Sequence, residues 1–256
     1  MKIGFFDSGL GGLTILKATR QLLPEYDYIY YGDTANLPYG DKTEEEIYLL
    51  TENAVKKLFD SDALLVIVAC NTASAESVRR LQDNILTGVY ADRKVLGVII
   101  PTVEELVGCG AKRALLIGTV RTIHSNKYSK ELDKISSGVS LTSYPTPLLV
   151  PLIEQGKFME ACAALHEDIQ ALVGKIDTLV LGCTHYTVLK ETLREIYKIR
   201  VLSQDEIIPA KLQKYIEKHT EIKEQLSCEG TVSVVLSRED EQYAQIKKEF
   251  GFVDRE

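Results

Sequence analysis

Two cysteines of the chain lie where a thiol could transfer a proton. Cys70 and Cys183 each follow a strongly apolar run and precede a short polar run that could begin a helix. A thiol at that position faces the positive end of the helix dipole, which favours its thiolate form. The backbone amides that follow, at Asn71-Thr72 and Thr184-His185, could bind a carboxylate. Because a cysteine after a buried strand is more often an inert small residue, neither thiol establishes a function by itself.

Other polar residues could assist these thiols. Asp7 follows the first apolar stretch and precedes Ser8 and three glycines, which would let the backbone approach a ligand closely. The alternative is that Asp7 only caps a helix. His185 lies two residues after Cys183, and Glu154 lies in a Pro-Leu-Ile-Glu-Gln-Gly segment; either one alone could equally be an ordinary polar residue. The remaining cysteines lack such a setting and are expected to be structural: Cys109, Cys162 and Cys228.

Short apolar runs alternate along the chain with amphipathic stretches, which is the pattern of an α/β protein. Several runs are apolar on both faces, as is typical of parallel strands covered by helices. The predicted strands are Lys2–Phe6, Tyr28–Tyr31, Leu64–Ala69, Val95–Ile100, Ala114–Ile117, Thr178–Leu181 and Thr231–Leu236. The predicted helices are Gly12–Leu23, Thr43–Phe59, Ile208–His219 and Glu239–Phe250. Thr43 and Glu46 have the spacing of a capping box at the start of the second helix.

An internal repeat organises these elements. The spacing from Asp7 to Cys70 nearly equals the spacing from Thr119 to Cys183, and a proline lies midway in each interval. These matches predict two similar α/β halves, although two unrelated units of common length would give some of them. The expected domains are residues 1–94 with 205–256, and residues 95–204. Because ligands of such sheets bind beyond the carboxyl ends of the strands, the two halves would face one cleft.

Composition disfavours several classes of function. With 256 residues, 45% of them hydrophobic and 26% charged, the chain can bury a core without disulfides. The 30 Lys and Arg against 37 Asp and Glu give a net charge of −7, which disfavours nucleic acid as a partner. No apolar run approaches the roughly 18 residues of a membrane span, and Asp7 interrupts the first one, so we expect neither a membrane segment nor a signal peptide. Five cysteines without paired spacing predict a reducing compartment and a cytoplasmic protein.

Six short motifs follow one another along nearly the whole chain. They are GFFDSGLGGLTIL at Gly4–Leu16, YYGDTANLPYG at Tyr30–Gly40, ACNTAS at Ala69–Ser74, GTVRTIHSNKY at Gly118–Tyr128, PLIEQG at Pro151–Gly156 and LGCTHY at Leu181–Tyr186. Together and in this order they resemble the cofactor-independent glutamate racemases of the aspartate/glutamate racemase superfamily. The resemblance implies two pseudo-symmetric, flavodoxin-like α/β domains whose mostly parallel sheets face a central cleft. The opening motif combined with the Pro-Tyr-Gly loop favours glutamate over aspartate as the substrate.

The resemblance also implies roles for the matching residues. Cys70 and Cys183 match two catalytic acid/bases, one on each face of the substrate, and Asp7, His185 and Glu154 match groups that assist them. The substrate-binding positions it implies are Asp7, Ser8, Pro38, Tyr39, Gly40, Asn71, Thr72, Thr119, Thr122, Thr184 and His185. The implied reaction interconverts L- and D-glutamate by α-proton transfer, with neither an organic cofactor nor a metal, and supplies D-glutamate for peptidoglycan.

Some features leave alternatives open. Ser203-Gln204 stands where the family commonly has an Asp-Ser pair, and the segment from Glu217 onward matches little, which puts oligomer contacts and regulation in question. We expect glutamate as a small-molecule partner, neither nucleic acid nor membrane, and a homodimer as the assembly to consider. The competing functions are an aspartate racemase of the same superfamily, a non-catalytic amino-acid-binding protein and a cysteine hydrolase built from Cys183, His185 and Glu154. A zinc site formed by Cys70, Cys183 and His185 would lack an evident fourth ligand.

Overall fold

The computed structural model describes residues 1–135, 138–239, 241, 243, 245, 248, 250 and 251. The strands among them are β1 Lys2–Asp7, β2 Tyr28–Gly32, β3 Ala63–Val68, β4 Lys94–Gly97, β5 Arg113–Gly118, β6 Ser140–Pro145, β7 Thr178–Gly182, β8 Arg200–Leu202 and β9 Val232–Leu236. The helices are α1 Leu13–Leu22, α2 Glu44–Asp60, α3 Asn71–Asn84, α4 Ile99–Gly108, α5 Val120–His124, α6 Lys127–Ile135, α7 Leu149–Glu154, α8 Phe158–Val173, α9 Lys190–Tyr197, α10 Gln204–Lys218 and α11 Thr220–Lys223. Short 3₁₀ segments lie at Thr34–Asn36, Tyr39–Asp41, Gly88–Tyr90 and Thr184–Leu189. In this described part, no helix has the length and apolar character needed to span a membrane.

The strands form two separate sheets in which all described pairs are parallel. The first sheet has the order β4-β3-β1-β2-β9, and the second has the order β6-β5-β7-β8. Taken from its other edge, the second sheet runs β8-β7-β5-β6 and so repeats the first four strands of the first sheet. In this repeat β1 corresponds to β5 and β3 to β7. The predicted α/β class with two similar, parallel-sheet halves is therefore confirmed.

Burial explains why the central strands are apolar on both faces. All six residues of β3 and all five of β7 are buried. Leu16 of α1 and Leu212 of α10 pack in one core cluster on the first sheet, and Ile47 of α2 packs in a second cluster on that sheet. Each such fully buried aliphatic side chain stabilises the fold by roughly 1.5–3 kcal/mol. The chain returns to the first sheet after the second, since α10 packs on α1 and β9 pairs with β2.

Helix α2 begins with the predicted capping box. The Glu46 backbone N–H donates to Thr43 Oγ1 at 3.3 Å, and the Thr43 backbone N–H donates to Glu46 Oε2 at 2.8 Å. These two bonds satisfy donors that a helix start otherwise leaves unpaired.

Three predictions need correction or lie beyond the described residues. The strand predicted at Val95–Ile100 ends at Gly97, and Ile99 already begins α4, because a short apolar run does not distinguish strand from helix. Strand β4 pairs with β3, so residues 95–97, which were assigned to the second half, belong to the first sheet. Strand β6 was missed because its side chains are polar and half-exposed at the sheet edge. Half of the residues of the helix predicted at Glu239–Phe250 lie outside the described ones.

Candidate active site

A cavity of about 320 Å³ lies where the central strands of both sheets end. Ser8 follows β1, Cys70 follows β3, Thr119 follows β5 and Cys183 follows β7, and all four line the cavity. Of the residues predicted for the site, those that line it are Ser8, Pro38, Tyr39, Gly40, Cys70, Asn71, Thr72, Thr119, Glu154, Cys183, Thr184 and His185. A cavity of this size suits a small molecule.

Cys70 is held at the first turn of α3. Its Sγ accepts the backbone N–H of Ala73 at 3.5 Å, and its thiol lies 3.3 Å from Ser8 Oγ. Burial first, and the negative charge of Asp7 second, raise the pKa of the Cys70 thiol to about 12. At neutral pH this cysteine therefore carries its proton, although the helix start by itself would favour the thiolate.

Asp7 lies behind the cavity lining, with its side chain fully buried. Its Oδ2 accepts the backbone N–H groups of Gly9 and Gly12, each at 3.2 Å, and its Oδ1 accepts the hydroxyl of Thr184 at 3.3 Å. Burial raises the pKa of Asp7 above its ordinary value, even though His185 and the bonded amides favour the carboxylate. The structure thus does not bring this carboxylate onto the cavity surface, where the sequence placed it as a substrate contact; it lies behind Cys70 and between the two halves.

The glycines after Asp7 admit protein atoms. A Cβ on Gly12 would lie 2.8 Å from the Cβ of Asp7, and a Cβ on Gly11 would lie 2.5 Å from Thr184 Oγ1. These glycines therefore have a packing role, because they let the β1–α1 turn close over Asp7 and against the second half, while the close approach of the backbone to a ligand stays a prediction.

Cys183, His185 and Glu154 form a chain of contacts at the opposite wall. Cys183 Sγ lies 3.7 Å from His185 Nδ1, and His185 Nε2 lies 3.2 Å from Glu154 Oε1. Burial opposes the charged imidazolium, yet the bonds to Cys183 and Glu154 raise the pKa of His185 well above its ordinary value. A protonated His185 therefore places a positive charge beside the Cys183 sulfur.

Three threonines join the halves at a third wall. Thr72 Oγ1 lies 2.9 Å from Thr119 Oγ1 and 3.1 Å from Thr122 Oγ1. Thr122, predicted as a substrate contact, is buried behind the lining and supports the other two. Nearby, Tyr39 is buried with its hydroxyl donating to Asp33 Oδ2 at 2.7 Å, so the 3₁₀ segment presents Gly40 close to Thr119.

Several site residues escaped the sequence interpretation. Tyr128 and Gln204 bond the side chain of Asn71, and Arg238, Tyr243 and Thr146 line the cavity. Tyr128 ends one of the motifs given above, and Gln204 is one of the two residues that differ from the family pattern. Both residues are therefore visible in the sequence, but the sequence assigns a function to neither. Nothing in the local sequence indicated Arg238. Among the described residues, no group of three or more His, Cys, Asp or Glu side chains is arranged to hold a metal. Cys70, Cys183 and His185, considered above as zinc ligands, are therefore not arranged as such a group.

The chain is similar to known proteins over most of its length. The model of the family described as Asp/Glu/Hydantoin racemase matches residues 14–207. The glutamate racemase of Roseobacter denitrificans is 37% identical over 235 residues, which cover 86% of this chain and 86% of that protein. The solved glutamate racemase of Francisella tularensis in complex with D-glutamate has a TM-score of 0.87 at 27% identity, covering 100% of this chain and 95% of that one. The Thermus thermophilus glutamate racemase in complex with β-chloro-D-alanine has a TM-score of 0.82 at 29% identity, covering 99% and 94%.

Proposed function

The chain belongs to the Asp/Glu/Hydantoin racemase family, and we propose that it interconverts L- and D-glutamate by moving the α-proton between two thiols. The observation that carries this proposal is the placement of Cys70 and Cys183. Both line one cavity, each within two residues of the end of a strand, and the two strands β3 and β7 correspond to each other in the repeat. The three similar proteins described above are glutamate racemases, and one of them was solved with D-glutamate bound.

Racemisation needs a proton removed from one face of Cα and another delivered to the opposite face. A single base cannot easily reach both faces of a bound substrate, whereas two thiols contributed by two halves of a repeat can. General acid–base catalysis by positioned groups typically contributes about 10²–10⁴-fold in rate. Two thiols at equivalent positions therefore account for racemisation, and no third group is needed to move a proton to or from Cα.

The two walls of the cavity differ in charge. The protonated His185 places a positive charge beside Cys183, whereas the burial of Cys70 next to Asp7 keeps that thiol protonated. In the L-to-D direction, the Cys183 thiolate accepts the α-proton and the C–H electron pair passes into Cα and the α-carboxylate. The Cys70 thiol then delivers its proton to the opposite face and becomes the thiolate. The D-to-L direction reverses these steps.

Asp7 and the His185–Glu154 pair assist the thiols from behind. The negative charge of Asp7 raises the pKa of Cys70, so the thiol keeps its proton until it delivers it to Cα. Glu154 is partly exposed and bonds the outer nitrogen of His185, which keeps the imidazolium facing Cys183. We assign these residues as assisting groups and the cysteines as the catalytic acid/bases.

Backbone amides bind the substrate carboxylates in this proposal. The first N–H groups of α3, at Asn71 and Thr72, have no partner within the helix and lie at the positive end of its dipole. Thr184 and His185 line the same cavity from the second half, and their amides would bind a carboxylate from that side. Charge that builds on the α-carboxylate as the proton leaves is stabilised most by such fixed donors.

The alternatives fit the site less well. A cysteine hydrolase would use Cys183, His185 and Glu154, whose contacts do resemble a nucleophile, base and orienting group, but it would leave Cys70 in an equivalent place without a task. An aspartate racemase would share the thiols and differ in the distance between carboxylates. An amino-acid-binding protein would require neither thiol.

The activity is tested with L-glutamate in deuterium oxide. We expect the circular dichroism of the amino acid to decay to zero while deuterium enters Cα of the product. Early in the reaction the D-glutamate should carry deuterium and the remaining L-glutamate should not, because separate thiols serve the two faces. An unchanged dichroism signal would overturn the proposed function.

We also propose the setting in which this chemistry operates. The two sheets would be the cores of two domains, with the cavity between them. The chain would pass into the second domain after Gly97 and return to the first at Gln204. The enzyme would work in the cytoplasm, where its thiols stay reduced, and all five cysteines are free in the structure. It would act as a homodimer on free glutamate and supply D-glutamate for the cell wall; native mass measurement tests the assembly.

A further inference from the structure

A buried polar network lies against the start of α3. The Tyr128 hydroxyl donates to Asn71 Oδ1 at 2.6 Å, and Gln204 Nε2 donates to the same oxygen at 3.2 Å. Gln204 Nε2 also lies 3.1 Å from the Tyr128 hydroxyl, which closes a triangle of three side chains. Gln204 is fully buried, and Tyr128 and Asn71 are each 2% exposed.

This network gives a task to the glutamine that departs from the family pattern. Gln204 begins α10, just after the last strand of the second sheet. Tyr128 lies in α6 of the second half, whereas Asn71 lies in α3 of the first. A serine at 204 is too short to bridge the same gap, so the network in this form depends on the glutamine.

The network leaves one amide group of Asn71 available. Among the described residues Asn71 Nδ2 has no hydrogen-bond partner, although it is buried and its residue lines the cavity. Both bonds from Tyr128 and Gln204 fall on Oδ1, and the planar carboxamide therefore holds Nδ2 on the side away from them. A buried donor without a partner is costly, so this orientation is retained only if something fixes it.

We infer that Gln204, together with Tyr128, is a positioning residue that fixes the Asn71 carboxamide so that Nδ2 can donate to an oxygen of the bound amino acid. The inference rests on the proposed function, since it assigns the substrate as the acceptor. Gln204 touches no reacting atom and acts only through Asn71. Because Asn71 would bond the substrate before and during proton transfer, loss of its orientation weakens binding more than the chemical step.

The test compares Gln204→Met and Tyr128→Phe with the unaltered protein in the racemisation assay. Gln204→Met keeps the length of the side chain and removes both polar atoms, and Tyr128→Phe removes only the hydroxyl. We expect the KM for both glutamate enantiomers to rise by about tenfold, the effect of losing one well-placed hydrogen bond, with kcat within about twofold. The double variant should lose less than the product of the two single losses, because the two residues act on one carboxamide.

Matched controls separate positioning from general damage to the fold. Tyr28→Phe removes a buried hydroxyl that donates to the Leu23 carbonyl at 2.6 Å, and Gln82→Met removes an amide that donates to the Val95 carbonyl at 2.8 Å. Both controls lie away from the cavity and should leave KM unchanged while lowering the unfolding temperature by a similar amount. The Tyr128 variant also keeps the test valid if Gln204→Met does not fold.

The possible failures are distinct. If the unaltered protein racemises glutamate and both site variants keep its KM, the positioning role is wrong and the proposed function stands. The positioning role is equally wrong if kcat falls while KM is unchanged, or if the controls raise KM as much as the site variants do. If the unaltered protein does not racemise glutamate, both inferences are overturned.

Discussion

Replacing Asp7 by asparagine removes one negative charge from behind Cys70 and keeps the shape of the side chain. The structure indicates that every hydrogen bond can be rebuilt. An asparagine Oδ1 can accept the N–H groups of Gly9 and Gly12, and its Nδ2 can donate to Thr184 Oγ1, which accepts once its own hydrogen rotates away. Alanine at the same position would leave both backbone donors buried and unpaired.

The two substitutions therefore separate charge from packing. We expect Asp7→Asn to change the free energy of unfolding by less than about 1 kcal/mol. Asp7→Ala should lower it by roughly 1–3 kcal/mol for each backbone donor that is left buried without a partner. For a chain of this size, about 1 kcal/mol shifts the unfolding temperature by roughly 2–4 °C. Because burial raises the folded-state pKa of Asp7, its carboxyl stabilises the fold most below the unfolded pKa and loses that contribution as pH rises. At neutral pH the asparagine variant is accordingly not penalised for the lost charge.

Catalysis should respond in the opposite way. Loss of the assisting carboxylate should lower kcat by roughly 10²–10⁴-fold in the dichroism assay, the range of acid/base groups. The pKa of Cys70 should fall, because Asp7 is a negative charge that raises it, so alkylation of Cys70 by iodoacetamide should begin at a lower pH. Near-normal turnover in Asp7→Asn, or a loss of unfolding temperature as large as that of Asp7→Ala, would mark Asp7 as a structural cap and refute this reasoning.

Three further predictions concern the substrate and the cavity walls. Glutamate should be racemised at least about tenfold more efficiently than aspartate, since one methylene in a fitted site is worth roughly 10–200-fold, and added pyridoxal phosphate should change nothing; faster turnover of aspartate would contradict this. Because the pKa of His185 is raised in the folded protein, its imidazolium stabilises the fold below the unfolded pKa and loses that contribution as pH rises through the folded pKa. Since Glu154 helps to raise this pKa, thermal unfolding followed from about pH 6.5 upward should depend less on pH in Glu154→Gln than in the unaltered protein. Equal slopes would refute the contact. Arg238 is the one permanently charged cation among the described residues that line the cavity. Arg238→Gln should therefore raise the KM for glutamate about threefold or more and weaken the salt dependence of that KM, whereas Arg79→Gln, at an exposed arginine, is the control. An unchanged KM in Arg238→Gln would remove Arg238 from the site.

The features that the sequence predicted well are those set by local pattern or by repetition. Cys70 and Cys183 follow strands whose burial is visible as unbroken apolar runs, and their nearly equal spacing from Asp7 and Thr119 anticipates the matching order of the two sheets. The capping box at Thr43 was also readable because both of its bonds lie within four residues.

The features that it missed depend on contacts between distant segments. Strand β6 forms only because β5 offers it an edge, and its own residues have little apolar pattern. Gln204 meets Asn71 across the junction of the two halves, which no spacing along the chain reveals. Asp7 was expected at the substrate, but the turn after β1 folds over it, an outcome set by the packing of Gly11 against Thr184.

The central claim, two opposed thiols with one for each face of Cα, is tested most directly by glutamate analogues that carry a chloride on Cβ. Such a substrate needs one deprotonation before chloride leaves, and the enamine product hydrolyses to 2-oxoglutarate and ammonia, so either thiol can act alone. Serine has nearly the shape of cysteine and is a far weaker acid. We expect Cys70→Ser to release 2-oxoglutarate from the L-analogue only, and Cys183→Ser from the D-analogue only, while neither racemises glutamate. If both variants fail on both enantiomers, or if Cys70→Ser still racemises glutamate at nearly the normal rate, the two-thiol account is wrong.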